Sequence, residues 1–133
     1  MNTKKNFPFV TVKNNTLHDI VISGDPNWDD QKLLIDGEAN NYFKLLKEKS
    51  VILSVEWDFK PDELMMGVDF EKSNYDGNNM GFLLLEIGQS LKTGLLGITN
   101  SYEDEPKWAN MVTENQSPLS FTLIFENKNN QDI

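Results

Sequence analysis

The chain predicts an all-β fold, a single-domain antiparallel β-sandwich of 7–8 short strands. Three observations predict it. Apolar residues alternate with polar ones over several short runs, as in strands with one buried face. Turn-forming Asn, Asp and Gly separate those runs, with Asn pairs at Asn14-Asn15, Asn40-Asn41, Asn78-Asn79 and Asn129-Asn130. The 133 residues, 38% hydrophobic with eight Phe, are enough for one packed core and too aromatic for a disordered chain.

The first element is Phe9-Val10-Thr11-Val12-Lys13, followed after Asn14-Asn15-Thr16 by Ile20-Val21-Ile22. Val10 and Val12 share one face, as do Ile20 and Ile22, so the pattern predicts a hairpin with one buried face. A loop carrying Trp28 follows, and Lys32-Leu33-Leu34-Ile35 leads into a tight turn at Asp36-Gly37. Between residues 39 and 49, Tyr42, Phe43, Leu45 and Leu46 fit either one face of a short helix or an irregular strand.

Val51 to Phe59 reads as a strand with Val51, Leu53, Val55, Trp57 and Phe59 on one face, ended by Pro61. Leu64 to Phe70 reads as another, with Met66, Val68 and Phe70 inward, before a turn at residues 74–79. Gly81 to Gly88 and Gly94 to Asn100 form two further strands. Ser101 to Pro118 reads as a long polar loop, and Leu119 to Phe125 closes the domain. Residues 1–6 and 127–133 are expected to fray.

The formal charge is −9, from 21 acids and 12 bases, and every base is Lys. A chain without Arg lacks the planar fork suited to phosphates and guanine edges, so nucleic acid is excluded as a partner. The net charge also argues against simple electrostatic adsorption to anionic lipid. It favours solubility, or a basic protein partner. There is no Cys, which excludes disulfides, thiolate metal sites and Cys nucleophiles. No apolar segment follows the basic start Met1-Asn2-Thr3-Lys4-Lys5, so the expected location is the cytoplasm, with any release independent of a signal peptide.

Enzymatic signals are weak, and the expectation is a non-enzymatic protein without cofactor or metal. His18, the single histidine, has no Gly-x-Ser-x-Gly nucleophile elbow to serve. Asp29-Asp30 and Asp76-Gly77-Asn78 lack the spacing and closing carboxylate of a calcium loop. Asn14-Asn15-Thr16 and Asn115-Gln116-Ser117 match glycosylation sequons, read here as chance. The aromatic side chains are more informative. Trp28, Tyr75, Tyr102 and Trp108 fall in predicted loops, where half-polar rings suit an interface. Loops that meet at one end of a sandwich form a platform for lipid headgroups, with cation–π contact available to a choline-like group.

The order of elements resembles the aegerolysin and actinoporin-like group of small cytolytic β-sandwiches. The resemblance rests on Val10-x-Val12-x-Asn14-x-Thr16 with Ile20-x-Ile22, on Trp28 followed by Asp36-Gly37, and on Gly81-Phe82-Leu83-Leu84-Leu85 with Leu95-Leu96-Gly97-Ile98 and the closing strand. It implies membrane-lipid recognition, with a second toxin component making the pore. The polar Gly-Arg-Ser segment of that group has no counterpart here, so lipid specificity does not carry over. The alternative is a bacterial immunity protein that neutralises a basic toxin through Glu56, Asp58, Glu103, Asp104 and Glu105.

Overall fold

The computed structural model describes residues 8–24, 33–39, 42–55, 64–73, 79–103 and 109–127. They form eleven strands: β1 (Phe9–Asn15), β2 (Asp19–Gly24), β3 (Leu34–Ile35), β4 (Glu38–Ala39), β5 (Tyr42–Leu45), β6 (Ser50–Ser54), β7 (Leu64–Ser73), β8 (Asn79–Gln89), β9 (Leu96–Glu103), β10 (Ala109–Glu114) and β11 (Ser120–Asn127). Sheet I has the order β10-β11-β1-β6-β3-β4, and sheet II the order β5-β2-β7-β8-β9. All pairings are antiparallel except that of β1 with β11. The predicted β-sandwich is the observed architecture.

The inward residues follow the predicted alternation. Val10, Val12, Val51, Leu53, Phe121, Leu123 and Phe125 of sheet I meet Ile20, Ile22, Met66, Val68, Phe70, Leu83, Leu85 and Ile87 of sheet II in one core. Phe70 and Phe125 join the two layers, with ring centroids 4.9 Å apart and planes tilted by 51°. Such tilted contacts add about 0.5–1.5 kcal/mol to area burial.

Three expectations change. The predicted opening hairpin is not a hairpin. β1 pairs with β11 and β6, whereas β2 pairs with β5 and β7, so residues 16–18 carry the chain from one sheet to the other. Two alternating runs around a turn have the same inward residues in either arrangement. The pattern therefore placed Val10, Val12, Ile20 and Ile22 in the core without identifying their neighbours. Of the two readings left open for residues 39–49, strand is the one found at 42–45, and no helix occurs among the described residues.

The segment read as a long polar loop contains the end of β9 and all of β10, a half-buried edge strand whose alternation is masked by Asn110, Thr113 and Glu114. Asn127 ends β11, and its Oδ1 accepts the Leu17 N–H at 3.0 Å. The strand count exceeds the predicted seven or eight because β3, β4 and β10 add to it. The Asp36-Gly37 turn is as predicted. Both residues have positive φ, 51° and 87°, as a two-residue hairpin turn requires.

The register gives the sandwich two distinct ends. Asn15, Asp19, Leu45, Ser50, Ser73, Asn79, Ala109 and Asn127 terminate strands at the end where the chain crosses between sheets, here the corner end. Gly24, Ser54, Leu64, Gln89, Leu96 and Ser120 lie at the far end.

Candidate functional site

The corner end is built around Asn14. Its place in the alternation, after Val10 and Val12, turns it inward, and it is fully buried. A buried amide must find partners for both donors and its acceptor. Asn14 Nδ2 donates to the carbonyls of His18 at 2.8 Å and Leu45 at 3.0 Å. Its Oδ1 accepts the Thr16 N–H at 3.0 Å. The Thr16 hydroxyl lies 2.7 Å from the same Oδ1 and 2.9 Å from the His18 carbonyl, sharing one proton between two acceptors. The Asn14 main chain is held as well, donating to Lys49 at 2.9 Å and accepting from Glu48 at 2.7 Å. One side chain thus ties together the crossing at 16–18 and the turn at 46–49. It also closes the sequon at Asn14, whose amide nitrogen has both hydrogens committed.

The two segments tied by Asn14 present Leu17 and Leu46 outward, 55% and 48% exposed. Lys47 N–H donates to Asp19 Oδ1 at 3.1 Å, which binds the 46–49 turn to the start of β2. Lysines share this end. Lys13 is two residues from the end of β1 and opposite Ser50, Lys44 is opposite Val21, and Lys72 is opposite Ile20. Lys47 and Lys49 lie in the turn itself. Five of the six described lysines are therefore at this end, together with five of the ten described carboxylates, Asp19, Glu48, Glu71, Glu103 and Glu126. The described remainder holds Lys92 against Asp36, Glu38, Asp69, Glu86 and Glu114. Among the described residues lysine is concentrated at the corner end, whereas the acids divide evenly.

Of the aromatic residues expected to bind a ligand, Tyr102 is described. It lies on β9, paired with Leu84, 47% exposed, and its hydroxyl accepts Asn100 Nδ2 at 2.7 Å. Asn100 Oδ1 also accepts the Ser101 N–H at 2.9 Å, occupying a main-chain donor on this edge strand. Trp28, Tyr75 and Trp108 lie outside the described residues. Ser73 and Asn79, either side of 74–78, are at the corner end, as is Ala109 after Trp108. Gly24 and Leu34, either side of Trp28, are at the far end.

No protein-family model matches this chain. No curated protein matches it either.

The remaining candidates separate. Glu56, Asp58, Asp104 and Glu105 lie outside the described residues. Val55, which precedes Glu56, follows the far-end strand terminus Ser54, whereas Glu103 ends β9 opposite Leu83, on the corner-end half of the sandwich. His18 contributes its main chain to the corner: its carbonyl accepts from Asn14, and its N–H donates to Thr16 Oγ1 at 3.2 Å. Among the described residues no cluster of three or more His, Cys, Asp or Glu is placed to hold a metal ion.

Sequence reasoning missed Leu17, Leu46 and the grouping of lysines at this end. The run Lys44-Leu45-Leu46-Lys47-Glu48-Lys49 carried a local signal in its lysine density. Lys13 and Lys72 carried none, because only strand pairing brings them to the same end.

Proposed function

We propose that the chain is a non-enzymatic membrane-lipid-binding component that docks through its corner end. The observation that supports this is the pair of exposed leucines, Leu17 and Leu46, on one tied end that also carries five of the six described lysines. Leucines at loop tips insert into the acyl boundary while long basic side chains stay at headgroup level. The same arrangement agrees with the cytolysin-like resemblance, in which a small sandwich recognises lipid and a second protein component makes the pore.

Two leucines, each transferring part of its surface out of water, supply about 1–3 kcal/mol apiece. Vesicle pelleting tests the reading. The native chain is expected to pellet with liposomes, and Leu17→Ser with Leu46→Ser to lower the partition coefficient about tenfold or more while leaving the melting temperature nearly unchanged. Failure of the native chain to bind any vesicle, or undiminished binding by the double variant, overturns it.

A further inference from the structure

We infer that the two leucine tips of the corner end carry their main chain out of water, an inference that rests on the lipid-binding reading and sets its depth. Asn127 and Asp19 are the residues that position the tips for it. Main-chain N–H groups beside both exposed leucines already have acceptors within the chain. Leu17 N–H donates to Asn127 Oδ1 at 3.0 Å, and His18 N–H to Thr16 Oγ1 at 3.2 Å. Lys47 N–H donates to Asp19 Oδ1 at 3.1 Å. Glu48 N–H goes to the Asn14 carbonyl at 2.7 Å, and Lys49 N–H to the Leu46 carbonyl at 3.1 Å. Asn127 ends β11 in sheet I and Asp19 begins β2 in sheet II, so each sheet lends one side-chain oxygen to one tip.

Solvent decides what these two side-chain bonds are worth. Both are exposed. In water an amide that loses such an acceptor binds a solvent molecule instead, and folding stability changes little. At the acyl boundary no water replaces the acceptor, and an N–H taken there without a partner weakens binding roughly fivefold or more. A tip that stops at hydrated headgroups gains little from internal acceptors. The same bonds also hold the leucine segments in place before contact, so less ordering is left for binding to impose. Asn14 holds these segments from inside, with its Nδ2 2.8 Å from the His18 carbonyl and 3.0 Å from that of Leu45, but it is buried and its loss disturbs the fold itself. Asn127 and Asp19 act from outside, through the amides of Leu17 and Lys47.

The test pellets the full chain with vesicles of phosphatidylcholine alone, with an equal share of sphingomyelin, or with about one-third phosphatidylserine. On the vesicles that the native chain binds, Asn127→Ala and Asp19→Ala are each expected to lower the partition coefficient about fivefold or more, while the melting temperature shifts by no more than a few degrees. Asp19→Asn keeps an Oδ1 acceptor and is expected to recover the binding lost in Asp19→Ala. With Leu17→Ser already in place, Asn127→Ala should lower binding no further, because that tip no longer leaves water. On the native chain, hydrogen exchange of the Leu17 and Lys47 amides is expected to slow about tenfold or more when vesicles are added. Native-like binding by both alanine variants, or unchanged exchange at both amides, overturns the inference and leaves the lipid reading standing. Binding of the native chain to none of the vesicles overturns both. The exchange measurement needs no variant, so it decides the matter even if Asp19→Ala folds poorly.

Discussion

The side-chain amide of Asn14 donates to the main-chain carbonyl of Leu45 at 3.0 Å, across 31 positions of sequence. Asn14 belongs to sheet I and Leu45 to sheet II, so this one bond crosses the sandwich where the chain itself does. The second hydrogen on the same nitrogen goes to His18, and Oδ1 serves Thr16. Asn14→Ala strands the buried Leu45 carbonyl and the Thr16 N–H, each worth about 1–3 kcal/mol when left unmade, while the Thr16 hydroxyl still serves the His18 carbonyl. Urea denaturation is expected to show a loss of about 3 kcal/mol. Asn14→Asp should cost more, since it sets carboxylate oxygen against carbonyl oxygen. A loss near that of an ordinary surface substitution would remove Asn14 from its role as the tie.

Phe125→Ala probes the contact between layers. Phe125 is fully buried and meets Phe70 of the other sheet. The expected loss is about 3–5 kcal/mol, from transfer and cavity terms together. Phe125→Leu should cost less than half as much. Near-equal losses would mean that the ring geometry, and not buried volume, dominates.

Glu48 should be improvable. It is exposed and has φ of 67°, in the left-handed region that side chains with a Cβ avoid. Its N–H to Asn14 is a main-chain bond that any residue but proline retains. Glu48→Gly is expected to raise stability by about 0.5–1 kcal/mol, the relief of left-handed strain exceeding the added chain entropy. A lowered urea midpoint would show that the glutamate side chain holds the turn.

Gly97 meets Gln116. A Cβ at Gly97 would lie 2.6 Å from Gln116 Nε2, which donates to the Leu96 carbonyl at 3.1 Å. Gly97→Ala therefore displaces an amide and its bond, with an expected loss of about 1 kcal/mol. In Gln116→Ala the obstacle is gone, and adding Gly97→Ala should then cost little. A double-mutant cycle measures the coupling, and additive losses would show that the two residues act independently.

Much of the core was legible because a strand's side chains alternate with a period of two. Val10, Val12, Ile20, Ile22, Met66, Val68 and Phe70 were assigned inward from spacing alone, and all are buried. The Asp36-Gly37 turn was legible for an equally local reason, since few residue pairs accept two positive φ angles. β10 was not, because a half-buried edge strand keeps polar residues on both faces. The candidate site was legible only in fragments. Tyr102 was named, whereas Leu17 and Lys13 looked like an ordinary turn residue and an ordinary strand charge.

The sequence by itself determined which residues face inward, where tight turns fall, and that the chain is acidic and without cysteine. Each is a property of neighbours in the chain. The tertiary structure alone decided that β1 lies beside β11 and not β2, and that Asn14 spans two sheets. It also decided that five lysines from three separate segments share one end. Pairing between distant strands is set by how two sheets close over a common core. A charge pattern that depends on that closure has no signature in the order of residues.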